Sequence, residues 1–132
     1  SHNMKKNQQL FDKAFQAMQN AYAPYSHFKV GAAVLADDGN IYAGCNTENI
    51  SYPCGTCAEA GAIAAMAAAG ARKIIKIMVI SDGQALVTPC GACLQRIKEF
   101  STKETEIITA DINKNFRSFL ISDLLPHAFE EF

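Results

Sequence analysis

The sequence predicts an α/β fold with three layers, α/β/α, around a mixed five-stranded sheet. The predicted elements follow the order helix, hairpin, helix, strand, helix, strand, strand. Residues 74–80 form a nearly continuous β-branched run, which is typical of a central strand covered on both faces. Only residues 111–115 separate the last two strands, which is too short for a parallel crossover, so the last strand should return antiparallel.

The individual elements follow from local patterns. Residues 8–21 place apolar residues on one helical face, and Pro24 stops that helix. Residues 30–34 alternate like a strand, and the turn signal at 37–40 returns the chain as a second strand over 41–45. The remaining elements are a helix, a strand, a helix, two strands and a short helical or turn segment, predicted over residues 57–70, 74–80, 90–100, 106–110, 116–121 and 123–129.

An alanine-rich helix follows a polar loop in the middle of the chain. Thr56 is expected to cap its start, and Gly70 is expected to end it. Because this helix is apolar on nearly every side, it should be buried within the domain or against another subunit.

Length and composition indicate one domain without a linker in a chain of 132 residues. Residues 1–3 precede Met4 and are interpreted as an expression remnant, which leaves residues 4–132 as the domain. Hydrophobic residues make up 49%, charged residues 19%, and the net charge is −1, so disorder is not indicated. A basic groove for nucleic acid strands is also not indicated, and no nucleic-acid partner is expected.

Cysteine usage and hydropathy bear on the compartment. Five cysteines without a recognisable signal peptide indicate a reducing compartment, so a cytoplasmic location is expected. The most apolar run, residues 60–71, is too short to cross a bilayer, and no membrane partner is expected.

Two short segments indicate metal chemistry: Cys-Ala-Glu at 57–59 and Pro-Cys-Gly-Ala-Cys at 89–93. Together they form the Cys-ligand version of a signature already described for zinc nucleobase deaminases. Thiolates are soft ligands suited to Zn²⁺, and a catalytic zinc site keeps its fourth position for water. Glu59 follows the first ligand by two residues and is expected to move protons beside the metal instead of binding it. Both segments are predicted at helix N-termini, which lower thiol pKa values.

Two other interpretations of these segments remain open. Thr56 to Glu59 also matches a capping box, in which Glu59 reaches back to the backbone of Thr56. Cys54 could join the three other cysteines in a four-thiolate, closed structural zinc site, although that site leaves Glu59 without a role. In the polar loop, the side chains of Asn46 and Glu48 suit sugar hydroxyls, but turn chemistry also explains both residue types.

Taken together, the residues resemble a cytidine deaminase of the small homotetrameric type over nearly the whole chain. Besides the two metal-binding segments, the resemblance is carried by Tyr-Ser-His-Phe-Lys-Val-Gly-Ala-Ala at 25–33, Gly-Cys-Asn-Thr-Glu-Asn-Ile-Ser-Tyr at 44–52 and Leu-Leu-Pro-His-Ala-Phe at 124–129. It implies a cytidine-deaminase-like fold and a homotetramer, with zinc held by Cys57, Cys90 and Cys93 and with Glu59 as the proton shuttle.

The resemblance also implies a set of substrate contacts. Asn46 and Glu48 would bind the ribose, and Phe28 would line the base pocket. Ala58 would also contact the substrate. Phe129 would reach a neighbouring subunit's active site and pack on the base.

Three positions depart from the family pattern. Ala60 and Leu94 stand where the family commonly has arginine, and Lys29 stands where it usually has proline. Zinc with three thiolates carries a net charge of −1, so the missing arginines predict a less acidic zinc-bound water than is usual. Gln95, which matches the family, is expected to donate a hydrogen bond to a thiolate.

The predicted activity is zinc-dependent hydrolytic deamination of cytidine or deoxycytidine to the uridine product with release of ammonia, a reaction of pyrimidine salvage. One alternative is a related aminohydrolase acting on another cytosine nucleoside of the blasticidin S type. The other alternative is a structural zinc domain without catalysis.

Overall fold

The structure is a computed structural model that describes residues 2–83 and 86–131, and it confirms the predicted α/β fold. Within these residues, five strands, β1 to β5, cover Val30–Ala36, Ile41–Cys45, Ile74–Ser81, Ser101–Ala110 and Phe116–Leu120. The same part of the chain has four α-helices, α1 to α4, over His2–Gln19, Ala58–Ala68, Gly91–Glu99 and Ile121–Leu124, and a short 3-10 helix over Tyr52–Cys54.

The strand order β2-β1-β3-β4-β5 places β3 in the middle of a mixed sheet. Strands β3 and β4 are parallel, and every other neighbouring pair is antiparallel. The two specific expectations about the sheet are therefore confirmed. The β-branched run forms the central strand, and the last strand returns antiparallel to its neighbour.

Two apolar cores cover the two faces of the sheet. Along β1, the side chains of Ala32 and Val34 belong to the core under α2 and α3, whereas those of Ala33 and Leu35 belong to the core under α1. This alternation is the two-residue period of a strand. The molecule thus has three layers: α1, the sheet, and α2 with α3.

Several element ends differ from the predictions. Helix α1 begins at His2, well before residue 8, and Lys76 of β3 donates hydrogen bonds to the side chains of Asn3 and Asn7. The apolar periodicity of the sequence could not reveal this start, because these contacts to a distant strand are polar. Strand β4 begins at Ser101 instead of residue 106, because the polar stretch at its start is already paired to β3.

The final helix is earlier and shorter than the predicted segment at 123–129. It covers Ile121–Leu124, because the carboxylate of Asp123 accepts a hydrogen bond from the Leu120 N–H at 2.8 Å and so caps the chain there. Within residues 2–83 and 86–131, none of the helices has both the length and the apolar character that a membrane crossing requires.

Candidate active site

Helix α2 starts one residue later than predicted. Cys57 occupies its N-cap position, so the expected cap at Thr56 is wrong. Thr56 instead pairs with Thr47 through two backbone hydrogen bonds of 2.9 Å, one in each direction. This pairing closes the polar loop and delivers Cys57 to the helix start. It also removes the capping-box explanation of Glu59, since that motif requires Thr56 at the N-cap.

Glycine allows α2 to lie directly on β2. A Cβ atom at Gly44 would lie 2.4 Å from the Ala62 nitrogen and 2.6 Å from the Ala58 oxygen, so no larger residue fits there. At the other end, Gly70 has a φ of +95°, and the next N–H, that of Ala71, donates to the Met66 oxygen at 3.2 Å. This is a glycine-dependent helix stop, and the predicted end of the helix at Gly70 is confirmed.

Helix α3 presents the second cysteine segment in the same manner. Cys90 is its N-cap, and Cys93 lies in its first turn. Both cysteine segments are therefore at helix N-termini, as predicted. The positive ends of two helix dipoles lie beside the thiols, where they would offset part of the charge of metal-bound thiolates.

A cavity of about 290 Å³ lies where the two helix starts meet. Its wall contains all but two of the predicted site residues: Phe28, Asn46, Cys57, Ala58, Glu59, Cys90 and Cys93. The rest of the wall is mainly apolar and is formed by Val30, Val79, Ser81, Val87, Thr88 and Pro89. Residues that are distant in sequence thus meet in one apolar pocket with a few polar groups, which is the usual character of a small-molecule site.

Glu59 is the buried carboxylate of this cavity, with 6% of its surface exposed. Burial raises the pKa of Glu59 above its ordinary value. Hydrogen bonds from its own backbone and from the Cys93 thiol oppose that rise, as does the positive charge of Arg96. A raised pKa makes the carboxylate a better base near neutral pH, which suits a group that takes up and returns protons.

The three thiols differ in their exposure. Cys93 is buried, whereas Cys57 and Cys90 are exposed. The pKa of the Cys93 thiol is strongly raised, first by burial and then by the neighbouring Glu59, Cys57 and Cys90. The expected lowering of the thiol pKa is therefore wrong for Cys93, whose thiol stays protonated unless a cation joins it.

The donor set fits zinc. Within residues 2–83 and 86–131, no group of three His, Cys, Asp or Glu side chains is already arranged at metal-binding positions. The chemistry is nevertheless that of a zinc site, because three thiols share one cavity wall and a bound cation would relieve their mutual repulsion. Cys57, Cys90 and Cys93 are the residues that would hold it.

The side chain of Asn46 links two backbone segments of the cavity wall. Its Oδ1 accepts a hydrogen bond from the Val30 N–H at 2.9 Å, and its Nδ2 donates to the Phe28 oxygen at 2.8 Å. These contacts hold Phe28, whose surface is 37% exposed, at the cavity wall. The amide retains one donor hydrogen and one acceptor lone pair for a ligand.

Glu48 lies in a different pocket, of about 330 Å³, and not in the cavity of Glu59. The backbone N–H groups of Tyr25 and Ser26 donate to its Oε1 at 3.0 and 3.1 Å, and the Ser26 hydroxyl donates to its Oε2 at 2.5 Å. These bonds, led by the Ser26 hydroxyl, lower the pKa of Glu48 below its ordinary value. Glu48 therefore joins the loop to the turn at 25–26 as a fixed negative charge.

Phe129 also lies outside the cavity. The Gln95 amide binds its backbone on both sides, donating to the Phe129 oxygen at 2.8 Å and accepting from the Phe129 N–H at 3.2 Å. Gln95 thus holds the C-terminal segment, where a hydrogen bond to a thiolate was expected. The Phe129 residue is 64% exposed on this anchored segment.

The chain resembles known proteins in both sequence and structure. Residues 4–109 match the family described as the cytidine and deoxycytidylate deaminase zinc-binding region. The chain belongs to the cytidine and deoxycytidylate deaminase family. A cytidine deaminase from Halalkalibacterium halodurans is 39% identical over 92% of this chain and 92% of its own length.

Solved structures of this family share the fold. A cytidine deaminase from Burkholderia pseudomallei has a TM-score of 0.87 and 40% identity, covering 92% of this chain and 98% of its own. One from Mycobacterium tuberculosis has a TM-score of 0.81 and 36% identity, covering 94% and 97%. The expected cytidine-deaminase-like fold is confirmed.

Two further residues of this candidate site were not predicted from the sequence. The guanidinium of Arg96 lies 3.8 Å from the Cys93 sulfur, measured from Nη1. Ser81 lines the cavity, and its hydroxyl is buried without a hydrogen-bond partner within the described residues. The spacing of Arg96, three residues after Cys93 on a helix, was a usable signal, because such pairs share one helix face. Ser81 lies at a strand end and gives no comparable signal.

Proposed function

We propose that the protein is a zinc-dependent hydrolase that converts cytidine and deoxycytidine to uridine and deoxyuridine with release of ammonia. The observation that carries the proposal is a buried Glu59 in the same cavity as the thiols of Cys57, Cys90 and Cys93. The relatives named above are cytidine deaminases that match nearly all of the chain, which supports these nucleosides over a blasticidin-type substrate.

The zinc ion would be held by the three thiols as thiolates. When bound, it acts as a Lewis acid that makes water a stronger nucleophile at neutral pH. The two N-cap cysteines and Cys93 lie at helix N-termini, whose dipoles offset part of the thiolate charge. Cys54 does not line the cavity, and its sulfur lies 3.6 Å from the Ser51 hydroxyl, which supports three thiolate ligands over four.

Glu59 moves the protons of the reaction. Its carboxylate takes one proton from the attacking water and gives it to N3 of the base, while the water oxygen bonds to C4. It then takes the second proton of that oxygen and gives it to the amine leaving C4. Water and cytidine are thereby converted to uridine and ammonia, and Glu59 ends as it began.

The substrate contacts in this proposal divide between base and sugar. Phe28 provides an aromatic wall for the base, and Ala58 provides a small, buried one. Asn46 and Glu48 contact the ribose, since each side chain retains hydrogen-bonding capacity beyond its bonds within the protein. Ser81 adds to the cavity wall a buried hydroxyl without a hydrogen-bond partner among the described residues.

The proposal includes a homotetramer. Helix α2 buries Ala62 and Met66 in the domain, but Ala64 and Ala68 on its other side are exposed. A second copy that covers this alanine face would account for a helix that is apolar all round. The exposed Phe129 would then reach a neighbour's cavity. A cytoplasmic role in pyrimidine salvage goes with this activity, and a nucleic-acid partner does not.

The test is ammonia release by the zinc-loaded protein from cytidine, deoxycytidine, cytosine, blasticidin S and single-stranded DNA. We expect turnover of the two nucleosides and little from DNA. Stoichiometric zinc without ammonia release from any compound would support a structural zinc domain instead. Light scattering tests the assembly separately, and a monomer at micromolar concentration would contradict the tetramer.

A further inference from the structure

The zinc site of the proposed function gathers negative charge in one cavity. Three thiolates around Zn²⁺ leave a net charge of −1, and an ionised Glu59 beside them adds another. In surroundings less polar than water, such charge needs a nearby cation. Ala60 and Leu94, which follow Glu59 and Cys93 directly, provide none.

We propose that Arg96 is a positioning residue whose guanidinium provides the counter-charge for the Cys93 thiolate. This inference rests on the zinc site of the proposed function. The Arg96 Nη1 lies 3.8 Å from the Cys93 Sγ, within reach of an N–H to sulfur hydrogen bond. A donor to a metal-binding thiolate neutralises part of its charge and fixes its orientation.

The local geometry explains why this contact is effective. Cys93 is only 1% exposed, so little water reaches its sulfur to solvate the thiolate. Helix α3 places Arg96 one turn after Cys93 and on the same face. The delocalised charge of a guanidinium is weakly hydrated and cannot be lost by deprotonation, and both properties suit a partly buried contact.

The other basic side chain of α3 is engaged elsewhere. Lys98, two residues further along α3, forms an ion pair with Glu130 at 3.1 Å. Lys98 is therefore a matched control, because it carries the same charge on the same helix turn without contacting a thiol.

A competing explanation of Arg96 is stabilisation of α3 itself. Basic residues in the last turn of a helix interact favourably with its dipole, and both Arg96 and Lys98 lie there. In that case, removal of either charge should have the same effect on the protein, with or without zinc. In the proposed role, only removal of the Arg96 charge should weaken zinc binding.

The experiment compares Arg96→Ala, Arg96→Lys and Lys98→Ala with the wild type by competition for zinc with a chelator. We expect Arg96→Ala to bind zinc about 10-fold more weakly, as is typical for loss of a group behind a metal ligand. Arg96→Lys should recover part of the affinity, and Lys98→Ala should match the wild type. The rise in melting temperature on adding zinc should shrink in Arg96→Ala alone, while the zinc-free melting temperatures of the two alanine variants should be alike.

Equal zinc affinities for Arg96→Ala and Lys98→Ala would overturn the proposal. If Arg96→Ala does not fold, Arg96→Gln takes its place, because glutamine keeps a hydrogen-bond donor without the charge and should show the same weakened zinc binding. A wild-type protein that binds no zinc would contradict the proposed function itself, so the two failures are distinguishable.

Discussion

Glu48 and Glu59 are close in sequence but lie in opposite environments. Glu59 is buried at the start of α2, and this burial raises its pKa above the ordinary 4.5. Glu48 lies in the loop before that helix, where donors from Tyr25 and Ser26 surround its carboxylate. Those donors, led by the Ser26 hydroxyl, lower its pKa below 4.5.

This difference makes Glu59 suited to proton transfer and Glu48 suited to holding the loop in place. A proton shuttle must change its charge at the working pH, and burial brings the pKa of Glu59 toward that range. A carboxylate surrounded by donors keeps its charge and serves as a fixed anchor or hydrogen-bond acceptor. The same side chain is thus suited to two tasks by the solvent and donors around it.

The largest expected effect is that of Glu59→Gln. The amide keeps the size of the side chain but cannot carry protons, so deamination should fall by about 10²–10⁴-fold. Zinc content should remain near the wild-type level, because the three thiols are unchanged. Ammonia release and bound zinc would be measured on the same preparation.

A matched control for that variant is Glu48→Gln, which removes the same charge outside the cavity. It should retain far more of the chemical step than Glu59→Gln. Near-normal turnover by Glu59→Gln would exclude Glu59 as the shuttle and leave it a structural role at the helix start.

A smaller effect is expected from Glu48→Ala on substrate discrimination. A hydrogen bond to a charged group contributes about 1.5–3 kcal/mol, so kcat/KM for cytidine should fall by about 10–100-fold. Activity on free cytosine, which has no ribose, should change little. The measurement is the ratio of kcat/KM values for cytidine and cytosine.

Ser26→Ala separates a ribose contact from a loop effect. It removes the Ser26 hydroxyl bond to Glu48 but keeps the carboxylate. If Glu48→Ala and Ser26→Ala each lower activity on cytidine and on cytosine to the same extent, Glu48 acts by holding the loop and does not bind the sugar.

Sequence patterns predicted the regions whose contacts are local or periodic. Residues 74–80 could be recognised as the central strand because a strand covered on both faces must be apolar throughout. The first cysteine segment could be placed at a helix start because a polar loop precedes it and Gly70 ends that helix.

Contacts between distant segments could not be predicted in this way. The partners of Glu48 lie more than twenty residues earlier in the chain, and no local rule pairs them. The Thr56 cap was a sound local expectation, but backbone pairing with Thr47 competed with it and prevailed. The Gln95 amide likewise forms its hydrogen bonds with the backbone of Phe129, which lies 34 residues later in the chain.

The opposite pKa shifts predict opposite pH dependences of stability in the zinc-free protein. Because folding raises the pKa of Glu59, its contribution is fully present below 4.5 and is lost as the pH rises through the folded pKa. The melting temperature of Glu59→Gln should therefore increase relative to that of the wild type as the pH rises. Because folding lowers the pKa of Glu48, its contribution is present above 4.5 and is lost as the pH falls through the folded pKa.

The melting temperature of Glu48→Gln should accordingly be lower than that of the wild type above pH 4.5, and the two should become similar in stronger acid. Thermal unfolding of both variants across this range is the measurement. Differences from the wild type that change with pH in the same direction for both variants would contradict the contrast between the two carboxylates.

The smallest expected effect is that of Cys54→Ser, which tests whether the loop and the cavity are chemically separate. Cys54 is exposed in the 3-10 helix of the loop, with its sulfur 3.6 Å from the Ser51 hydroxyl, whereas the cavity wall holds Cys57, Cys90 and Cys93. Serine can keep the contact with Ser51, and exposed substitutions of this kind usually change stability by less than about 0.5 kcal/mol. Zinc content, melting temperature and activity should all stay near the wild-type values.

The same substitution three residues later, Cys57→Ser, is the matched control and should have the opposite outcome. It removes a predicted zinc ligand, so zinc affinity should fall together with the stability that metal binding adds. If Cys54→Ser loses zinc as Cys57→Ser does, four thiolates close the metal site and leave no position for water. Glu59 would then have no water to deprotonate, and the buried carboxylate would lose the role that distinguishes it from Glu48.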